Sequence, residues 1–148
     1  GAAANSRDNA RTPMPWDGSA GGGFTSGTPW IELGAGWQSV NVAADRADPD
    51  GVFARYRLLA ALRRELAVVR HGDWTLLEPD HPQVFAYRRA LGDERVAVFA
   101  NFSAEPAQAE VPPELRGAAR DLIADAAAAV PPVLELAPWE SRALYVRG

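Results

Sequence analysis

Residues 1–49 hold three of the chain's five Trp and 8 of its 13 Gly, yet they show neither a helical nor a strand period. Glycine-rich coil ordinarily reads as a flexible linker. Trp16, Trp30, Trp37, Phe24, Ile31 and Met14 argue against that reading. Each would expose a large apolar area to water, at a cost of roughly 25 cal/mol per Å². A segment this long without secondary structure is also foreign to the interior of a small compact domain. Its bulky side chains call for a surface to lie on, and the 148 residues are expected to be a fragment of something larger.

Residues 48–72 are predicted to form one amphipathic helix. Asp48 suits the N-cap, Pro49 the first helical position, and Asp50 the positive end of the dipole. Val52, Tyr56, Leu59, Leu62, Leu66 and Val69 recur at three- and four-residue spacing, with Phe53 and Leu58 widening the stripe. Arg63, Arg64 and Arg70 lie in the C-terminal half, and Gly72 supplies a stop. Such a helix needs an apolar partner.

From residue 73 onward the pattern is one of short strands. Trp74–Leu77 is one candidate; Val84, Ala86 and Arg88 alternate with Phe85, Tyr87 and Arg89. Val96, Val98 and Ala100 alternate with Ala97, Phe99 and Asn101, and Gly92-Asp93 marks the hairpin turn between the two runs. Ala107–Val111, Val133–Ala137 and Ala143–Val146 are weaker candidates, separated by Pro112-Pro113, Pro131-Pro132 and Pro138. The Ala-rich residues 119–130 fit helix and strand equally. The fold class expected is mainly β, a C-terminal antiparallel β-sandwich or barrel preceded by an irregular segment and a helix.

Composition removes several chemistries. With 0 Cys there is no disulfide framework, thiolate metal site or cysteine nucleophile, and 2 His make no histidine-rich metal centre. A net charge of -4 speaks against nucleic acid as a partner. No apolar run reaches the roughly 18 residues of a membrane helix, and no signal peptide is visible. The expectation is a soluble, cytoplasmic protein without cofactor or metal.

Catalytic groups are scarce. No Ser stands in a nucleophile-elbow setting. His71 falls at a helix C-terminus and His81 in a turn. Two carboxylates can hydrolyse a glycoside, but Asp8 and Asp17 of the unusual first segment have nothing to pair them. Gly21–Gly23 is not a phosphate loop, since no Lys follows. Asn101-Phe102-Ser103 matches a glycosylation sequon, a pattern common by chance. No catalytic residue is assigned. The exception to this background is Ser6 to Trp16, which packs Arg7, Arg11, Asp8 and Trp16 into an irregular stretch. Arg presents a planar fork suited to carboxylates and paired sugar hydroxyls, so the segment reads either as a polar ligand-contact loop or as a salt-bridged structural loop.

Arg7-Asp8-Asn9-Ala10-Arg11-Thr12-Pro13-Met14, then Trp16, resembles the RDNARTPMQW signature of alpha-glucosidases of the alpha-amylase superfamily. The type is that of oligo-1,6-glucosidase, with trehalose-6-phosphate hydrolase and trehalose synthase as near relatives. Gly23-Phe24-Thr25, Pro29-Trp30 and Asn41-Val42 resemble the loop that follows. Asp48 to Phe53, Tyr56-Arg57 and Leu62-Arg63 resemble the last barrel helix, and His71-Gly72-Asp73 its exit. Val84 to Tyr87, Asn101-Phe102-Ser103 and Pro138-Trp139-Glu140 resemble the C-terminal β domain. Pro15 departs from the usual Gln, and the match across 112–132 is weak.

The resemblance implies three parts: 1–47 as the tail of the last active-site loop of a (β/α)8 barrel, 48–72 as the last barrel helix, and 73–148 as the C-terminal β domain. It implies retaining hydrolysis by an Asp nucleophile and a Glu acid/base about 5–5.5 Å apart, both on earlier barrel strands. Arg11 and Arg7 would then bind substrate, gripping hydroxyls of the terminal glucose, or Arg11 would tie the loop to the barrel. The partners implied are the rest of the catalytic barrel and an oligosaccharide substrate. Two other readings stand beside hydrolysis: transglycosylation of the trehalose synthase type, and a non-catalytic carbohydrate-binding β module. The module would need a row of exposed aromatics, whereas Trp74, Phe85, Tyr87, Phe99 and Phe102 are expected mostly in the core.

Overall fold

In the computed structural model, which describes residues 10–78 and 80–148, the chain divides after Arg57 into two compact units. The first is held by its own backbone rather than by a sheet. Trp16 and Asp17 both donate to the Gly22 carbonyl (2.7 and 3.3 Å), while Val42 and Ala43 donate to Pro15 and Trp16, each at 3.0 Å. A short helix, α1 (Val42–Ala47), begins at Asn41, whose Oδ1 accepts the Ala44 N–H at 2.9 Å. The Asn41 amide also donates to the Trp37 and Gln38 carbonyls at 3.1 Å, so this buried residue joins the coil to the helix. An Asn before an apolar run is an N-cap signal that the absence of longer periodicity conceals.

The single helix expected over 48–72 is two helices, preceded by the end of α1. Asp48 closes α1 as its C-cap, donating its N–H to Ala44 and Asp45, and α2 (Val52–Glu65) starts only after Gly51. Its cap comes from upstream: the Asp45 carboxylate accepts from Val52 and from Phe53, each at 2.9 Å. Gly51 makes room for this, because a Cβ there would lie 2.7 Å from Asp45 Oδ1 and 2.8 Å from its carbonyl oxygen. Leu66 then adopts extended backbone, and α3 (Ala67–His71) runs to Gly72.

The second unit is an antiparallel β domain. Strands β1 (Asp73–Leu77), β2 (Val84–Leu91), β3 (Glu94–Asn101), β4 (Ala107–Glu110), β5 (Gly117–Asp121), β6 (Ala126–Val130), β7 (Val133–Leu136) and β8 (Ser141–Arg147) form two sheets. One has six strands in the order β1-β2-β3-β8-β5-β6, and the other is the β4-β7 pair. The ambiguous Ala-rich stretch is the β5–β6 hairpin, paired Ala118 to Ala129 and Arg120 to Ala127. Its turn is stapled by Asp121, whose buried carboxylate accepts from Ile123 and Ala124 (2.9 and 3.2 Å) and from Arg142 on β8.

Each face of the large sheet has its own cover. One side packs Ala86, Phe99 and Leu144 against Ala109, Leu134 and Leu136 of the two-stranded sheet, the sandwich core expected from strand alternation. On the other, Leu62 and Val68 pack with Val96, Ala143 and Leu122. The Arg89 guanidinium fixes the helical segment in place by donating to the carbonyls of Val68 (3.2 Å) and Gly72 (2.7 Å). Among the described residues no helix is long and apolar enough to cross a membrane.

The chance sequon is set aside on structural grounds as well, and one local expectation changes. Asn101 is no glycan acceptor in the folded chain, for it is buried and donates to Glu105 (2.7 Å) and Ala137 (3.0 Å) while accepting from Ser103. The aromatics placed in the core are divided. Phe99 is wholly buried, whereas Trp74, Phe85 and Phe102 are exposed. Period-two alternation gives the side of the sheet but not what covers that side.

Candidate functional site

The residues singled out by motif lie in the first unit. Arg7 is outside the described residues. Arg11 is exposed, and among the described residues it has no carboxylate within ion-pair distance. It borders a shallow hollow shared with Met14, Phe24, Thr25, Trp30 and Ile31. Trp30 is 88% exposed and Phe24 52%, so both aromatic faces are open to a ligand or to another surface.

The glycine run shapes this hollow. Gly21, Gly22 and Gly23 all have positive φ (71, 63 and 64°), a succession that residues with a Cβ rarely tolerate. A Cβ on Gly22 would stand 3.1 Å from the Leu33 side chain, and one on Gly23 would stand 2.8 Å from the Asp17 carboxylate. The tight turn thereby brings Phe24 back beside Met14 at the rim of the hollow. Asp17 braces it: its carboxylate accepts from the Ser19 backbone at 2.9 Å and from the Ser19 hydroxyl, bonds that hold it below the usual carboxylate range.

A guanidinium and aromatic side chains lining one hollow can bind a polyhydroxylated ring by hydrogen bonds and apolar contact. Among the described residues the hollow is lined by no carboxylate, imidazole or thiol, and those residues offer contact rather than a proton-transfer group. Among the described residues no cluster of three or more His, Asp or Glu is placed to hold a metal ion. The two His are spent elsewhere or exposed. His71 ends α3, and His81 accepts at Nδ1 from Gln83 (3.1 Å) and Val84 (2.9 Å) while Nε2 contacts the Gln108 carbonyl at 2.9 Å. Sequence reasoning treated His81 as a turn residue and missed that it ties the β1–β2 loop to β4, a tertiary contact with no local signal.

Known proteins match this layout in both units. The family model for the alpha amylase catalytic domain matches residues 1–72, and that for the maltogenic amylase C-terminal domain matches residues 74–142. The oligo-1,6-glucosidase of Parageobacillus thermoglucosidasius is 36% identical over 146 residues, covering 95% of this chain and 26% of the relative. Among solved structures, the trehalose-6-phosphate hydrolase of Bacillus licheniformis superposes with a TM-score of 0.86 at 32% identity, over 97% of this chain and 27% of that one. The trehalulose synthase MutB from Pseudomonas mesoacidophila MX-45 gives 0.83 at 37% identity, over 96% and 26%. The chain thus spans about a quarter of the length of the relatives it matches. With the two family models together accounting for nearly all of its residues, the chain belongs to the alpha-amylase family, of which it is a C-terminal portion.

Proposed function

We propose that the chain is the C-terminal portion of a retaining alpha-glucosidase that releases terminal alpha-linked glucose from oligosaccharides. The supporting observation is the hollow in which exposed Arg11 borders Trp30, Phe24 and Met14, with no carboxylate or imidazole among the described residues that line it. On this reading residues 1–47 end the last active-site loop, 48–72 are the last barrel segment, and 73–148 are the C-terminal domain. Arg11 and Arg7 bind hydroxyls of the terminal glucose, and the Asp nucleophile and Glu acid/base belong to the catalytic portion that the relatives carry and this chain does not span. The identity to oligo-1,6-glucosidases supports the hydrolytic form. Similarity to a trehalulose synthase supports a second form, in which the glycosyl-enzyme is captured by a sugar instead of water.

The test joins this chain to the catalytic portion of the Parageobacillus thermoglucosidasius relative. The 148 residues alone should turn over neither isomaltose nor maltose, and the fusion should. An Arg11→Ala fusion should show raised KM with folding unchanged by circular dichroism. Turnover by the isolated chain, or an R11A fusion with wild-type kinetics, would refute the respective assignment.

A further inference from the structure

The last strand of the large sheet has an open edge. β6 ends the order β1-β2-β3-β8-β5-β6, and among the described residues it pairs only with β5. Which of its backbone groups face outward follows from β8. Leu122 donates its N–H to the Ala143 carbonyl at 2.7 Å, in register with the Arg120–Tyr145 and Asp121–Leu144 pairs. Backbone groups alternate along a strand, so Asp121, Ala119 and Gly117 turn theirs toward β6 and bond Ala126, Ala128 and Val130. Ala127 and Ala129 therefore direct their N–H and C=O groups away from the sheet, and both residues are exposed.

A row of outward backbone groups is a template for another strand, and edge strands ordinarily discourage that with charge, Pro or a bulge. The small sheet does so, since β4 carries Glu110 and β7 carries Glu135. β6 holds only Ala and Val. Its ends fix a register, with Asp125 in a left-handed turn (φ 49°) before it and Pro131-Pro132 after it. The stretch between them is matched to a second copy of itself. Laid antiparallel about a two-fold axis at Ala128, Ala127 of each chain meets Ala129 of the other. Two such pairs with two hydrogen bonds each satisfy every outward N–H and C=O of both strands. The side-chain rows across the joint would run Arg120–Ala127–Ala129–Ala118 and Ala119–Ala128–Ala128–Ala119, so no like charges face one another. The two Asp125 would stand about 20 Å apart along the strands, beyond the screening length at physiological salt. Each is already paired with its own Arg120. Such a contact is isologous and closes at two copies.

We infer that β6 is a dimerisation edge, at which two copies of this chain join their six-stranded sheets antiparallel through Ala127 and Ala129. It depends on the β domain alone and stands or falls separately from the catalytic reading above. The edge lies within 112–132, the stretch where the match to the family signature is weak. Sedimentation velocity over a concentration series should show a reversible dimer of the chain. Ala127→Pro removes one outward N–H from each copy and leaves the bonds to β5 in place, as edge strands accept Pro at such positions. It should weaken dimerisation by about tenfold, because half of the bonds across the joint are lost. A wild-type chain that stays monomeric, or equal association of the two proteins, overturns the inference.

Residue-resolved amide exchange on the wild-type chain reads the same edge without a variant, and decides alone should Ala127→Pro lose its circular dichroism. Exchange at Ala127 and Ala129 should slow by about tenfold once about nine-tenths of the chain is dimeric. Ala128, already bonded to β5, should show no dependence on concentration. Exchange at Ala127 and Ala129 that ignores concentration overturns the inference. So does a dimer that forms without slowing them, which would place the contact on another face of the molecule.

Discussion

Removing the Asp121 carboxylate is the sharpest test of how the β domain is held. Asp121 is 2% exposed, and its carboxylate receives the Ile123 and Ala124 N–H groups at 2.9 and 3.2 Å together with the Arg142 guanidinium. Burial pushes this carboxyl up, but the Arg142 bond and the two backbone donors outweigh that and hold it below the usual range. Asp121→Ala strips three donors of their acceptor. Breaking a buried charged pair costs about 3–5 kcal/mol, and the lower end applies here because Arg142 can turn toward water. At about 1.5 kcal/mol/M, the urea midpoint followed by circular dichroism should fall by roughly 2 M. Asp121→Asn keeps an acceptor for the turn and loses the charge, so about half that loss is expected. Because the folded pKa is depressed, the charge contributes above the unfolded value of about 3.9 and is lost as pH falls through the folded pKa. The gap between wild type and Asp121→Asn should therefore be constant near neutrality and narrow below about pH 4. Variants within about 0.5 kcal/mol of wild type at pH 7, or a gap that widens in acid, would refute the reasoning.

Three further outcomes are expected. Asp45→Ala leaves the Val52 and Phe53 N–H groups without acceptors, costing about 1–2 kcal/mol and speeding amide exchange in the first turn of α2. Phe99→Ala should cost about 3–5 kcal/mol by thermal unfolding, and Phe102→Ala within about 0.5, because Phe99 is fully enclosed and Phe102 is 67% exposed. Expressed in a secretory host, the folded chain should yield an unmodified Asn101 peptide by mass spectrometry, since both amide protons are donated to Glu105 and Ala137.

Much of the strand pattern was legible because it is local. Ala86, Val84 and Phe99 alternate with outward neighbours along β2 and β3, and Gly92 at φ 57° closes the hairpin where a turn was expected. The β5–β6 hairpin was not legible, as a run of Ala has no contrast between its faces and its anchor, Asp121, acts through the distant Arg142. Asp48-Pro49-Asp50 reads as a helix start, yet the capping carboxylate is Asp45, which a single-turn window excludes. The site divides in the same way. Arg11 stood out by motif, but that Trp30 and Phe24 share its hollow depends on three glycines with positive φ, a backbone path no periodicity encodes.

Gly72 and Arg89 together bear on where such proteins can be cut and rejoined. A Cβ at Gly72 would lie 2.5 Å from the Val68 carbonyl oxygen and 3.0 Å from that of Ala90, and Arg89 clasps the turn from the strand side. A recombination event or a designed chimera that splits a parent gene at this joint would strand the clasp without its carbonyls. The transferable cassette therefore starts near Leu58, taking with it the second half of α2 and all of α3.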